Sequence, residues 1–183
     1  LIVDKTINVQ DLLIGDKNAI MVAARILGYG KDYNFEYGDE EQTVDLSKLE
    51  PAKLDFSKFT KGKNEFSFDL PNSKRIITFR LLTGRDEQQI ETELKALKKI
   101  SKDTSSELTT RLKKMLLSVD GNTDKAFISS FVDNEFLSRD SLAFRNYLTS
   151  ITPDIDMNAE VVDSNGKEKV VVIPITLRFF WPS

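Results

Sequence analysis

Asp120-Gly121-Asn122-Thr123-Asp124 places oxygen ligands at alternate positions of a tight turn, the arrangement with which a calcium loop begins. A complete loop of that kind carries glycine at its sixth position and a bidentate glutamate at its twelfth. Lys125 and Phe131 stand there instead, so the run reads as a turn with Asn122 or Thr123 capping the helix behind it. Two acidic pairs, Glu40-Glu41 and Asp154 with Asp156, have the residue types for a general acid and a general base, but exposed acidic turns explain them better. Gly28-Tyr29-Gly30 has the glycines of a phosphate loop in the wrong order of elements, because it follows a helix and leads into a strand; it reads as a helix stop.

Two further groups of residues point to binding. Lys95, Lys98, Lys99, Lys102, Arg111, Lys113 and Lys114 form a basic stretch over two helices, suited to an acidic partner or a phosphate backbone. No aromatic is interleaved between Leu94 and Ser118 to stack on bases, which favours a solvated helix face. Phe179-Phe180-Trp181 is a different case, since three consecutive large aromatics cannot all face inward from one strand. They are either anchors for a partner surface or a tail folded back on the chain's own core.

Composition narrows the chemistry. The 183 residues include neither cysteine nor histidine, which removes disulfides, thiol nucleophiles, imidazole acid-base chemistry and nearly every nitrogen or sulfur zinc site. No cofactor and no metal is expected. With 26 basic against 29 acidic residues the chain is net acidic, which argues against a duplex-binding surface. No apolar run approaches the roughly 20 residues that span a bilayer, and Leu1 to Lys5 lack a signal-peptide pattern, so a cytoplasmic origin is expected.

The elements that must position these residues follow from periodicity and turn chemistry. Asn8 and Asp11 predict a short capped turn, and Asp16 opens a helix with Ile20, Ala23, Ala24 and Leu27 on one face, closed by Gly28 in a left-handed cap. Residues 32–49 alternate around Gly38-Asp39 as a hairpin with Tyr33 and Phe35 on one face, and a lysine-rich connector runs from Lys53 to Lys63. Phe66, Phe68 and Leu70, then Ile77, Phe79 and Leu81, form a second hairpin around Pro71 to Lys74. A Thr83/Asp86 capping box starts a helix to about Ile100 with the stripe Ile90, Leu94, Leu97. Helices follow at roughly Ser106–Ser118, Asp124–Val132 and Arg139–Ser150, the last capped by Ser138 and halted before Pro153. Asn165-Gly166 centres a final hairpin between Met157–Val162 and Glu168–Ile173. The fold class is α+β: an N-terminal helix, antiparallel hairpins and a central four-helix segment. Length favours a single domain over 1–183, with hairpins 32–49 and 156–175 as a small sub-lobe.

Several stretches together resemble one family. They are Asp11-Leu-Leu-Ile-Gly-Asp-Lys-Asn-Ala-Ile, Ile77-Thr-Phe-Arg-Leu-Leu-Thr-Gly-Arg-Asp-Glu and the closing Phe179-Phe-Trp-Pro, with Thr110-Arg-Leu-Lys, Ser118-Val-Asp-Gly-Asn, Phe131-Val-Asp-Asn and Arg139-Asp-Ser-Leu-Ala-Phe-Arg between them. In this order they are similar to the baseplate hub subunits and hub assembly proteins of T4-type contractile-tailed bacteriophages. Many members of that family carry two Cys-Pro-x-Cys-Gly knuckles on separate hairpins. The matching positions here, around Tyr37 to Glu41 and Asp163 to Gly166, hold no cysteine. The resemblance implies that the first and last hairpins still pack together, as a degenerate zinc-ribbon-like element without metal, by strand pairing or by contacts such as Phe35 with Val171.

It also implies a non-enzymatic structural or assembly protein of the baseplate, assembled in the host cytoplasm and placed in the virion tail. Its partners would be other tail and baseplate proteins, with no small-molecule substrate and no membrane. Expected partner-binding residues are Phe179, Phe180 and Trp181, with Arg85, Glu87 and Gln88 on the helix beside the strongest motif. A permanent virion subunit and a transient assembly factor fit equally. The alternative is a nucleic-acid-binding module derived from a zinc ribbon, and a carboxylate-dependent hydrolase is the third class.

Overall fold

Tyr33 and Phe35 alternate with polar neighbours, and that alternation becomes a two-stranded antiparallel ribbon, β1 (Asp32–Tyr37) and β2 (Glu40–Asp45), in the computed structural model, which describes residues 4–38, 40–100, 106–162, 166–175 and 177–180. Gly38 takes a positive φ of 65° at the turn between them, where glycine carries no Cβ penalty. The remaining elements are α1 (Ile14–Tyr29), β3 (Phe66–Asp69), β4 (Ile76–Phe79), α2 (Gly84–Ile100), α3 (Ser106–Met115), β5 (Leu116–Val119), α4 (Lys125–Asn134), α5 (Ser138–Ile151), β6 (Asn158–Val162), β7 (Glu168–Val172) and the short α6 (Leu177–Phe180). The protein is α+β, with every strand pairing antiparallel among the described residues. No helix of the described residues is long and apolar enough to cross a membrane.

The chain divides into two compact units, where the sequence suggested one domain with a sub-lobe of hairpins. One unit joins Gly15–Ala52 to the segment from Pro153 onward; the other takes Lys5–Ile14 and Lys53–Thr152. In the first unit the ribbons β1–β2 and β6–β7 remain separate sheets, yet both bury one face in a common core with α1. Phe35 and Val171 belong to that core together with Val22, Tyr33, Val161 and Ile173. A side-chain bond from Gln42 Nε2 to the Val162 carbonyl (3.1 Å) links the ribbons in place of strand pairing. Near them the chain crosses itself, with an isolated bridge between Pro51 and Ile155 and a 2.8 Å bond from the Ala52 amide to the Asp154 carbonyl.

The face of α1 differs from the expected one. Val22 and Arg25 are the buried positions of its middle, and Ile26 packs on the same core, whereas Ala23 is exposed and Leu27 is 75% exposed. Ile20, Ala23, Ala24 and Leu27 do share a stripe, but tertiary packing against Tyr33 selects a neighbouring face that includes a cation, which an apolar pattern cannot reveal. The helix also begins at Ile14 rather than Asp16, and its left-handed stop is Gly30 (φ 84°), whose amide donates to the Ile26 carbonyl at 2.9 Å; Gly28 lies within the helix.

The second unit is a three-stranded sheet, β3-β4-β5, under helices. Ile77, Phe79 and Leu81 are buried as their alternation requires, and Phe79 meets Phe144 of α5 edge-on at 4.8 Å. β5 corrects the expected helix over Ser106–Ser118, which ends at Met115. Leu116–Val119 is too short to show a period, and its strand state comes from pairing with β4, where Thr78 and Ser118 hydroxyls meet at 2.6 Å. Asp124, not Asn122 or Thr123, caps α4 through the Phe127 amide (2.9 Å). Ser138 lies inside α5, whose cap position, Leu137, makes no side-chain bond.

Gly15 has no room for a side chain, since a Cβ there would overlap the Pro153 carbonyl oxygen, whereas a Cβ at Gly28 meets nothing within 4 Å. Gly15→Ala is expected to lower stability by about 3 kcal/mol, because backbone rather than a flexible side chain must move. Gly28→Ala should raise it by up to about 1 kcal/mol through helix propensity. Urea unfolding of the two variants checks both signs.

Candidate functional site

The C-terminal aromatics separate by burial. Phe179 is fully buried in the first unit, edge-on to Tyr33 at 4.9 Å and to Phe180 at 5.1 Å, so of the two readings of this segment it follows the one in which the tail folds back on its own core. In this conformation its ring is not offered to a partner. Phe180 is half-buried and packs against the same core, and Trp181 lies outside the described residues. Arg178, the residue before Phe179, is exposed and pairs with Glu36 of β1 at 3.0 Å.

Beside this segment an open groove of about 840 Å³ runs along β1, lined among others by Arg25, Tyr33, Asn34, Glu36, Glu41 and Arg178. Arg25 is only 4% exposed, and no carboxylate pairs with it among the described residues. Its Nη1 donates to the Gly30 carbonyl (3.0 Å) and its Nη2 to the Asp32 carbonyl (3.2 Å), while Nε is buried without a partner. Its guanidinium lies over Tyr29 and Tyr33, 5.2 and 5.7 Å from the ring centroids. Arg25 thus ties the end of α1 to the start of β1. Nothing in the sequence marked it, because the partners are backbone carbonyls.

The second expected surface, Arg85, Glu87 and Gln88, sits on the first turn of α2 and is largely occupied. Thr83 and Asp86 form the anticipated capping box: Asp86 Oδ2 accepts the Thr83 amide and hydroxyl, both at 2.8 Å, and the Asp86 amide faces Thr83 Oγ1 at 3.4 Å. Arg80 adds a bidentate clamp on the same carboxylate at 2.6 and 2.7 Å. Burial alone would raise the Asp86 pKa, but Arg80 and the Thr83 donors outweigh it and hold the carboxyl at about 2. Arg85 reaches Asp11 with two nitrogens (2.8 and 3.0 Å), and Glu87 takes both ends of the Arg111 guanidinium from α3. Gln88 is exposed, with its backbone carbonyl accepting Thr92 Oγ1.

Most of the described residues suited to other chemistry are taken up by local partners. Asp120 Oδ1 accepts the Ile76 amide (2.8 Å) and Asn122 Oδ1 the Asp124 amide (2.9 Å), so both side chains of the calcium-like run are bonded to backbone, one in β4 and one within the turn. Asp154 bonds Asn18 and the Ile155 amide, and Asp156 bonds Asn158 twice. Glu40 and Glu41 border the groove. Of the basic stretch, Lys95 pairs with Glu91, Arg111 with Glu87 and Glu107, Lys113 with Asp133 and Lys114 with Glu93; the side chains of Lys98 and Lys99, and Lys102 as a whole, lie outside the described residues. The first knuckle position is a short turn joining the paired residues Tyr37 and Glu40, while Asp163 to Asn165 of the second lie outside the described residues.

Asp140, in the first turn of α5, had no sequence signal. It is wholly buried, and its carboxylate gathers the Asn72 amide (2.7 Å), Asn72 Nδ2 (2.8 Å) and the Ser73 amide (2.9 Å) from the β3–β4 turn. Burial raises its pKa, but these donors dominate and hold it at about 2. Comparison with protein-family models, with curated proteins and with solved structures finds no match for this chain.

Two outcomes test these assignments. Phe179→Ala should cost about 3–5 kcal/mol in urea unfolding, the range of a buried phenylalanine rather than a surface anchor. Because the folded pKa values of Asp86 and Asp140 lie below the ordinary 3.8, their contribution to stability is full above about pH 4 and is lost as pH falls through about 2. Unfolding midpoints measured from pH 6 down to 2 should therefore drop, and Asp140→Asn should start lower and fall less steeply.

Proposed function

We propose that this chain is a non-enzymatic structural or assembly protein of the hub region of a contractile phage tail baseplate, acting by binding other tail proteins. The ordered sequence resemblance supplies the setting. The observation that favours binding over catalysis is geometric: the candidate carboxylates Asp154 and Asp156 are taken up by neighbouring amide donors. Asp45, Asp86 and Asp140, the three held at about 2, are each committed to fixing backbone or a cation. A general acid needs the opposite displacement. Asp16 is raised, through desolvation, but it lines no part of the groove. Such a protein needs no cofactor.

The nucleic-acid alternative has less support, because among the described residues Lys95, Arg111, Lys113 and Lys114 of α2 and α3 face carboxylates of their own protein. Filter binding to duplex DNA at low salt is expected to show no salt-dependent retention.

The decisive measurement is quantitative mass spectrometry of purified mature particles beside tail-assembly intermediates, with a major tail protein as the ratio standard. A fixed stoichiometry in mature particles identifies a virion subunit, presence only in intermediates identifies an assembly factor, and absence from both removes the tail reading.

A further inference from the structure

We infer that the open edge of β1 is a strand-addition site for an extended basic segment of a partner protein, an inference that rests on reading the chain as a binding protein. The phase of the ribbon fixes which backbone groups face outward. The Leu46 amide donates to the Lys31 carbonyl at 2.8 Å, so residues 31 and 46 form a hydrogen-bonded pair. In an antiparallel ribbon such pairs alternate, and the register Tyr33↔Val44, Phe35↔Gln42, Tyr37↔Glu40 continues the series. The amides and carbonyls of Asn34 and Glu36 therefore point away from β2. No third strand joins β1 among the described residues, and both residues are exposed.

The groove lies on this edge. Arg25 Nη2 holds the Asp32 carbonyl and so closes one end of the row of free groups, leaving the stretch at Asn34 and Glu36 for an incoming strand. Edge strands are usually protected by charged side chains, above all lysine, by proline or by a bulge. Asp32–Tyr37, reading Asp-Tyr-Asn-Phe-Glu-Tyr, has no lysine, proline or register shift, and the only charge it carries is acidic, which opposes a like-charged strand and not a basic one.

Charge selects the occupant. Asp32, Glu36, Glu40 and Glu41 border the groove against Arg25 and Arg178. Arg25 is spent on two carbonyls and Arg178 on Glu36, while Asp32, Glu40 and Glu41 have no ion-pair partner among the described residues. A second copy of the same edge would set carboxylates against carboxylates, which is destabilising across a ladder. An extended segment with lysine or arginine at alternate positions meets the acidic border and supplies the missing main-chain partners.

The test is amide hydrogen exchange of the full chain with a synthetic alternating Lys-Thr octapeptide, beside the same peptide N-methylated at alternate residues and its Glu-Thr counterpart. The expected result is at least tenfold slower exchange at Asn34 and Glu36 with the Lys-Thr peptide, and at least tenfold weaker binding of the other two. Asn34→Pro, which itself removes one of the two amides, should abolish the protection at Glu36; the N-methylated peptide makes the same test without altering the protein. Unchanged exchange at these two amides overturns the site, as does equal affinity for the N-methylated peptide, which would mean charge attraction without strand addition. Protection that appears without peptide, in step with a dimer mass, overturns the occupant in favour of a second copy. The two readings fail separately. Protection by the peptide in a chain absent from tail particles keeps the edge and removes the tail, whereas a chain present in particles with unprotected amides removes the edge alone.

Discussion

Closing the first unit from ribbons far apart in sequence, with no cysteine to tie them, is the constraint on which the rest of the structure depends. Its two ribbons are separated by more than a hundred residues, and bringing such distant segments together costs on the order of 4 kcal/mol in chain entropy, growing only slowly with length. Burying a valine, isoleucine or phenylalanine side chain returns about 1.5–3 kcal/mol. The later segment contributes Val161, Val171, Ile173 and Phe179 to the shared core, and their burial opposes that cost. Tyr33 serves this core twice, with its ring against Phe179 and its hydroxyl donating to the Pro174 carbonyl at 3.0 Å. The hydrophobic seam thus joins the two ribbons, and it asks for shape complementarity rather than for particular ligands.

The second unit uses buried carboxylates as fasteners. Asp86 ties the end of the sheet to α2, and Asp140 ties the β3–β4 turn to α5. The two solve desolvation differently. Asp86 faces a guanidinium, while Asp140 has neutral donors only, from two consecutive backbone amides and one side-chain amide, at the positively polarised start of a helix. Either arrangement makes the carboxylate directional, which a greasy contact is not, and so fixes the register of a turn against a helix.

Where local chemistry suffices, the sequence is transparent. The capping box at Thr83, the short turn capped by Asn8, the alternation through Phe79 and the two outer hairpins all rest on residues within a few positions of one another. Elements decided at long range were hidden. β5 exists because β4 is there to pair with it, α1 turns Arg25 inward because carbonyls of residues 30 and 32 await it, and Asp140 finds its donors nearly seventy residues away. The candidate site divides along the same line. The position of Arg85 and Glu87 on a helix start was legible, but their saturation by Asp11 and Arg111 was not. The aromatic run at 179–181 announced unusual packing without saying inward or outward, and the open edge of β1 is a property of topology that no window of residues contains.

The interleaved order of the two units also has a temporal side. All the residues of the second unit precede Pro153, whereas the first is incomplete until β6, β7 and α6 have been made. A chain emerging from the ribosome at about 5–20 residues per second can finish the sheet and helices of the second unit while α1 and the β1–β2 ribbon still wait on the order of a few seconds for the rest of their core. During that interval Tyr33, Phe35 and Val22 lack the residues that later cover them. Vectorial synthesis therefore leaves the apolar face of the first ribbon uncovered for a short time.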